Sequence, residues 1–120
     1  MARILAVDDS PSMRRMVNFA LKNGGFDVLE AEDGVQAFEV AQRESVDLVL
    51  TDINMPRMDG FELIAKLRTL SNYKFVPILT LTTESSAEKK AKAKAAGATG
   101  WIVKPFDTEQ LISVINRLVC

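Results

Sequence analysis

Leu48-Val49-Leu50-Thr51-Asp52 runs four apolar or β-branched residues straight into a carboxylate. The segment behind it, Ile53-Asn54-Met55-Pro56-Arg57-Met58-Asp59-Gly60, reads as a loop. A run this short, bounded by turn residues, fits a strand buried on both faces. A carboxylate ending such a strand lies at the carboxyl edge of the sheet, where open α/β folds bind their ligands. An ionised Asp left there unpartnered is costly, so the rest of the chain has to supply its partners.

Toward the N-terminus, Ile4 to Val7 is a second short apolar run, and it ends in Asp8-Asp9. Ser10-Pro11 then has the N-cap and first-turn chemistry of a helix, with Met13, Met16, Val17, Ala20 and Leu21 at helical spacing and Gly24-Gly25 as the stop. Phe26 to Glu30 reads as a strand at a sheet edge, and Asp33-Gly34 as a turn. A helix carrying Val35, Phe38, Val40 and Ala41 leads back to the strand of Asp52.

Beyond the loop, Phe61, Leu63, Ile64, Leu67 and Leu70 mark a third helix, and Ser71 to Lys74 a loop. Pro77 to Leu81 reads as a fourth strand ending in Thr82-Thr83-Glu84, with Pro tolerated at its first position. Ser85 and Glu88 have capping-box spacing, and Ala87, Ala91 and Ala95 form a small apolar stripe on a fourth helix that ends at Gly97. Gly100 to Val103 is a fifth strand running into Lys104-Pro105. Asp107 then caps a last helix built on Leu111, Ile112, Val114, Ile115, Leu118 and Val119. Strands alternating with helices in this way predict an α/β fold with a parallel sheet covered on both faces.

A chain of 120 residues suits one domain, 1–120, with no linker and no attached output domain. Hydrophobic residues at 48%, charged residues at 26% and a net charge of -1 give no footing for nucleic-acid or membrane binding. With a single cysteine, Cys120, no internal disulfide can form; that thiol is expected to be exposed and without function, and the setting reducing and cytoplasmic. The absence of His removes the commonest general base and metal ligand.

A parallel sheet brings the strand ends to one edge: Asp8-Asp9, Asp52, Thr82 and Lys104. Three carboxylates so close raise one another's pKa unless a cation intervenes, and a hard divalent ion with oxygen ligands, Mg²⁺, is the natural remedy. Lys104 adds a positive charge and Thr82 a hydroxyl. The set suits phosphoryl transfer to a carboxylate and is poor for hydrolysis by acid–base pairs. Singly the residues have plainer readings. Asp8-Asp9 fits a solvated strand end before a helix N-terminus, Thr82 a β-branched strand residue, Lys104 a surface lysine.

Together these residues resemble the receiver domains of two-component response regulators, above all the stand-alone, CheY-like chemotaxis regulators. The likeness covers essentially the whole chain, through Val7-Asp8-Asp9-Ser10, Leu50-Thr51-Asp52-Ile53-Asn54-Met55-Pro56, Met58-Asp59-Gly60, Leu81-Thr82-Thr83-Glu84 and Val103-Lys104-Pro105-Phe106. It implies a flavodoxin-like (βα)5 doubly wound sheet in strand order 2-1-3-4-5. It also implies that Asp52 takes a phosphoryl group from a sensor histidine kinase. Asp9, Asp52 and the Asn54 carbonyl would ligate Mg²⁺, and Asp8 would act through water. Lys104 and Thr82 would contact the phosphoryl group, and Trp101 would take the switch-aromatic position. Asn54 and Glu84 stand where the family tunes phosphoryl lifetime. Trp101 in place of Tyr or Phe and Thr83 in place of a smaller residue depart from the pattern.

The implied protein is not an enzyme in the ordinary sense: it carries only self-catalysed phosphotransfer and autodephosphorylation. It would be a monomer whose α4–β5–α5 face binds a flagellar motor switch protein and a phosphatase. Lys89, Lys90, Lys92, Lys94 and Trp101 are candidates for that face; the lysines also read as an ordinary solvated surface, and Trp101 as packing. The alternatives are a phosphorelay carrier or phosphate sink outside chemotaxis, or the receiver half of a transcription factor. A flavin or nucleotide enzyme on the same fold lacks its glycine-rich phosphate loop here.

Overall fold

The computed structural model describes residues 2–119; Cys120 and the expectation attached to it lie outside them. The elements run β1 (Arg3–Val7), α1 (Pro11–Asn23), β2 (Asp27–Ala31), α2 (Gly34–Arg43), β3 (Leu48–Thr51), α3 (Gly60–Leu67), a 3-10 turn (Ser71–Tyr73), β4 (Ile78–Thr82), α4 (Ala87–Ala96), β5 (Gly100–Val103) and α5 (Thr108–Val119). The five strands form one parallel sheet in the order β2-β1-β3-β4-β5, the doubly wound arrangement expected from the resemblance.

Period-two alternation sorts each central strand between two cores. Leu5, Val7, Val49 and Ile78 face Ala37, Ala41, Leu63, Ile64 and Leu67 from α2 and α3. Ile4, Ala6, Leu48, Leu50, Leu79 and Leu81 face Val17, Leu21, Leu111 and Ile115 from α1 and α5. β2, at the edge, is partly exposed, as its mixed composition predicts.

Several local expectations are corrected. β2 begins at Asp27, leaving Phe26 just outside, and β4 begins at Ile78, with the Pro77 carbonyl accepting from Val49 N–H. α3 stops at Leu67, and Ser71 to Tyr73 is a 3-10 turn whose Tyr73 is wholly buried, its hydroxyl donating to the Glu44 carbonyl at 2.6 Å. The cap of α4 is Ser86, not Ser85, accepting from Lys89 N–H. Ala87, Ala91 and Ala95 face solvent, and the buried residue of α4 is Ala93. Met16 on α1 is likewise exposed. The rest of the expected α1 face holds, with Val17, Ala20 and Leu21 buried; in α4 small residues recur on more than one side, so helical periodicity alone does not pick the buried one.

Two glycines are required by close approach. A Cβ on Gly60 would lie 2.4 Å from the Asp52 carbonyl oxygen, and one on Gly34 would lie 2.4 Å from that of Met58. Asp33, which precedes Gly34, does more than turn the chain: it caps α2 by accepting from Gln36 N–H at 2.8 Å. Arg57 grips the same buried carboxylate from the β3–α3 loop, with Nε 2.9 Å from Oδ2 and Nη2 3.1 Å from Oδ1. Arg57 has φ +67° and is the one non-glycine residue in the left-handed region among the described residues. The bidentate bond therefore holds the loop against an unfavourable backbone conformation.

Burial alone would raise the pKa of Asp33, but the bonds from Gln36 and Arg57 outweigh it and hold the carboxyl below its ordinary value. A folded pKa below the unfolded one contributes stability at neutral pH that is lost as pH falls through the folded value. Asp33→Asn keeps the cap but loses the ion pair. It is expected to lower stability at pH 7 by about 2 kcal/mol, with the deficit against the natural chain shrinking as pH falls below roughly 4. Urea unfolding of both proteins at pH 7 and pH 3 measures this; a deficit that does not narrow would contradict it.

Candidate functional site

The register of the sheet assembles the site. Val7 of β1 stands beside Thr51 of β3, so the next residues, Asp8 and Asp52, leave the sheet side by side. The ladder continues one step past each strand: Asp8 N–H donates to the Ala31 carbonyl and Asp52 N–H to that of Val7. Thr82 pairs with Val103, so Lys104 follows directly, its N–H donating to the Thr82 carbonyl at 2.8 Å. Asp52 thus lies one residue beyond β3 rather than within it, and Thr82 is the last residue of β4, as expected.

Asp8, Asp9 and Asp52 each offer a carboxylate oxygen within 4.8 Å of the others, a donor set for a small hard cation. Asp8 is buried and Asp9 exposed. Lys104 bridges two members of the set, with Nζ 2.6 Å from Asp8 Oδ2 and 3.0 Å from Asp52 Oδ2. Burial on its own would lower the pKa of this ammonium; its bonds to Asp8 and Asp52 and their charges outweigh that and raise it, so Lys104 stays charged. The other oxygens are held by backbone, Asp8 Oδ1 by Ser10 N–H at 2.9 Å and Asp52 Oδ1 by Ile53 N–H at 2.7 Å. The Lys104–Pro105 peptide is cis.

Glu84 is a junction at the mouth of this cluster. Its backbone N–H donates to Thr82 Oγ1 at 3.3 Å, and its carbonyl accepts from Trp101 Nε1 at 2.9 Å. Its carboxylate accepts from Asn54 Nδ2 at 3.3 Å and from Lys89 Nζ at 2.9 Å. Those bonds, the one from Lys89 first, hold its pKa below the ordinary glutamate value. The expected pair Asn54 and Glu84 is therefore in contact. Trp101 lacks a phenolic oxygen, yet its indole N–H makes a bond to the loop after β4, and Thr83 faces solvent.

The lysines of α4 do not form one surface. Lys89 turns back to Glu84, Lys92 sits 4.4 Å over the Phe61 ring, and Lys90 and Lys94 border a hollow with Ala98 and Trp101. On its other side Trp101 borders a second hollow with Phe106, Gln110 and Val114.

Sequence reasoning missed Arg14, which donates to the Asp8 carbonyl at 2.7 Å from the first turn of α1. An arginine there has no local signature, because its target is a backbone oxygen. It also missed the Asp33–Arg57 clamp, whose only signal was an Asp preceding a helix.

Residues 4–116 match the family model described as the response regulator receiver domain. A chemotaxis protein CheY homolog of Campylobacter jejuni is 42% identical over 111 residues, covering 91% of this chain and 85% of that protein. Chemotaxis protein CheY4 of Vibrio cholerae is 51% identical, with a TM-score of 0.94 over 98% of each chain. The receiver domain of a sensor histidine kinase from Pseudomonas aeruginosa was solved with a magnesium ion coordinated in its active-site cleft. It is 29% identical, with a TM-score of 0.92 over 98% of this chain and 97% of that one.

Proposed function

Because the chain belongs to the response regulator receiver domain family, and relatives at 42% and 51% identity are chemotaxis proteins, we propose that Asp52 is its phosphoacceptor in a two-component chemotaxis pathway. The observation that carries the reading is the cluster itself: three carboxylates with oxygens within 4.8 Å, and one ammonium bridging Asp8 and Asp52. A carboxylate oxygen of Asp52 forms the bond to phosphorus, the P–N bond of a kinase phosphohistidine breaks, and the electron pair stays on the imidazole.

Asp8, Asp9 and Asp52, with the Asn54 carbonyl, would hold Mg²⁺, and the donor chemistry fits that ion. When bound, Mg²⁺ supplies positive charge that offsets the charge of the phosphoryl group. Lys104 meets a phosphoryl oxygen with the ammonium it now gives to Asp52. Thr82 already accepts from Glu84 N–H, which leaves its O–H proton to donate to another oxygen.

That donation draws Thr82, and with it the loop to which Trp101 is bonded, toward the phosphoryl group. The hollows on either side of Trp101 change with it, and the α4–β5–α5 face shifts toward the form that binds a target, a flagellar motor switch protein in this reading. The identity to chemotaxis regulators and the Asn54–Glu84 pair favour this over a phosphorelay carrier.

Incubation with acetyl phosphate and Mg²⁺ is expected to add one phosphoryl group by intact mass and to change the fluorescence of Trp101, the single tryptophan. Both changes should vanish when EDTA replaces Mg²⁺. An adduct that forms equally well in EDTA would refute the metal site, and an adduct without a fluorescence change would refute the coupling to Trp101.

A further inference from the structure

Four lysines stand on α4, but Lys89 is the one bonded to the junction residue Glu84. Its ammonium and the Asn54 amide take the same carboxylate oxygen, Glu84 Oε1, from two sides, at 2.9 and 3.3 Å. One is a donor from a helix of the target-binding face and the other a donor two residues beyond Asp52. Without Lys89, a half-exposed glutamate with several rotatable bonds would have only a neutral amide to hold it. An ion pair this exposed is weak on its own, so its consequence lies in orientation rather than in stability.

We infer that Lys89 is a positioning residue for loss of the phosphoryl group, holding the Glu84 carboxylate against Asn54 at the mouth through which water must approach. This rests on Asp52 being the phosphoacceptor. In that step a water oxygen forms a bond to phosphorus from the side opposite Asp52. The P–O bond to Asp52 breaks and its electron pair returns to the carboxylate. One water proton moves to a phosphoryl oxygen, giving dihydrogen phosphate. In-line attack brings water in from the solvent side, where Asn54 and Glu84 meet, and a fixed acceptor beside a fixed donor orients that water. Lys89 lies on α4, so occupancy of that helix is read at the site through one side chain: a target whose carboxylate takes Lys89 from Glu84 prolongs the phosphorylated state.

The test is the decay of the adduct after acetyl phosphate is removed at saturating Mg²⁺, followed by intact mass. Lys89→Ala is expected to slow decay about threefold to tenfold, with the initial rate of adduct formation changed far less. Lys89→Arg keeps a donor to Oε1 and is expected to restore most of the natural rate. In the Glu84→Ala background, Lys89→Ala should have no further effect, because its only route to the site is gone. Natural decay in Lys89→Ala, or the same slowing with Glu84 absent, would overturn the inference while leaving Asp52 as acceptor. Failure of the natural chain to form any adduct would overturn both.

Discussion

Asp52→Asn is expected to take up no phosphoryl group from acetyl phosphate or from a phosphorylated kinase under conditions where the natural chain does. The amide has no anionic oxygen to attack phosphorus. Neither neighbouring carboxylate replaces it. Asp8 is buried with one oxygen on Lys104 and the other on Ser10 N–H, and Asp9 is exposed, away from the Lys104 bridge. Loss of uptake will not reflect loss of fold. Three carboxylates cluster around a single ammonium, which bridges Asp8 and Asp52, so neutralising one relieves repulsion, and Lys104 keeps Asp8 at 2.6 Å. The Tm of Asp52→Asn is therefore expected to equal or exceed that of the natural chain. An adduct on Asp52→Asn of the same yield would assign the acceptor elsewhere.

Arg68→Met is expected to give the largest loss of stability, and it lies far from the chemistry. The guanidinium donates to the Tyr73 and Val76 carbonyls at 2.7 Å each and doubly to the Gly97 carbonyl, from Nε at 3.0 Å and Nη2 at 2.7 Å. Among the described residues no carboxylate shares it; its partners are backbone oxygens of the 3-10 turn, the approach to β4 and the C-cap of α4. Gly97 itself is left-handed, φ +118°, and a Cβ there would meet the Arg68 side chain. One side chain thus fastens three segments and sits where a helix C-terminus favours positive charge.

Methionine fills similar volume but leaves those carbonyls without a donor. The cost is about 3 kcal/mol, or roughly 10 °C in Tm for a domain of this size. Arg68→Lys should recover only a minor part, since one ammonium cannot span the fork. Thermal unfolding of the three proteins decides it, and a fall of only a degree or two in Arg68→Met would show the network to be dispensable.

Much of this was legible in the chain, for identifiable reasons. Central strands buried on both faces read as unbroken apolar runs, so β1, β3 and β4 declare themselves. A parallel sheet then forces their C-terminal residues to one edge, which makes Asp8, Asp9, Asp52, Thr82 and Lys104 neighbours before any coordinate is known. Helix ends were legible where capping chemistry is local, as at Ser10 and Asp107, which accept from Met13 and Gln110 N–H.

What only the tertiary structure decided is who holds whom. The Ala87, Ala91 and Ala95 stripe looked like a core face and is solvent-exposed, because α4 turns Ala93 rather than that stripe inward. Lys89 looked like one of four surface lysines and is bonded to Glu84; Arg57, Arg68 and Arg14 carried no signal at all. Long flexible side chains choose partners across the fold, and arginines choose backbone carbonyls that every residue possesses, so neither spacing nor residue type can announce them. Period and residue type determined the scaffold and the site's chemical inventory. The clamps on that site, and the thread from Asn54 through Glu84 to α4, exist only where the folded chain brings distant segments within about 3 Å.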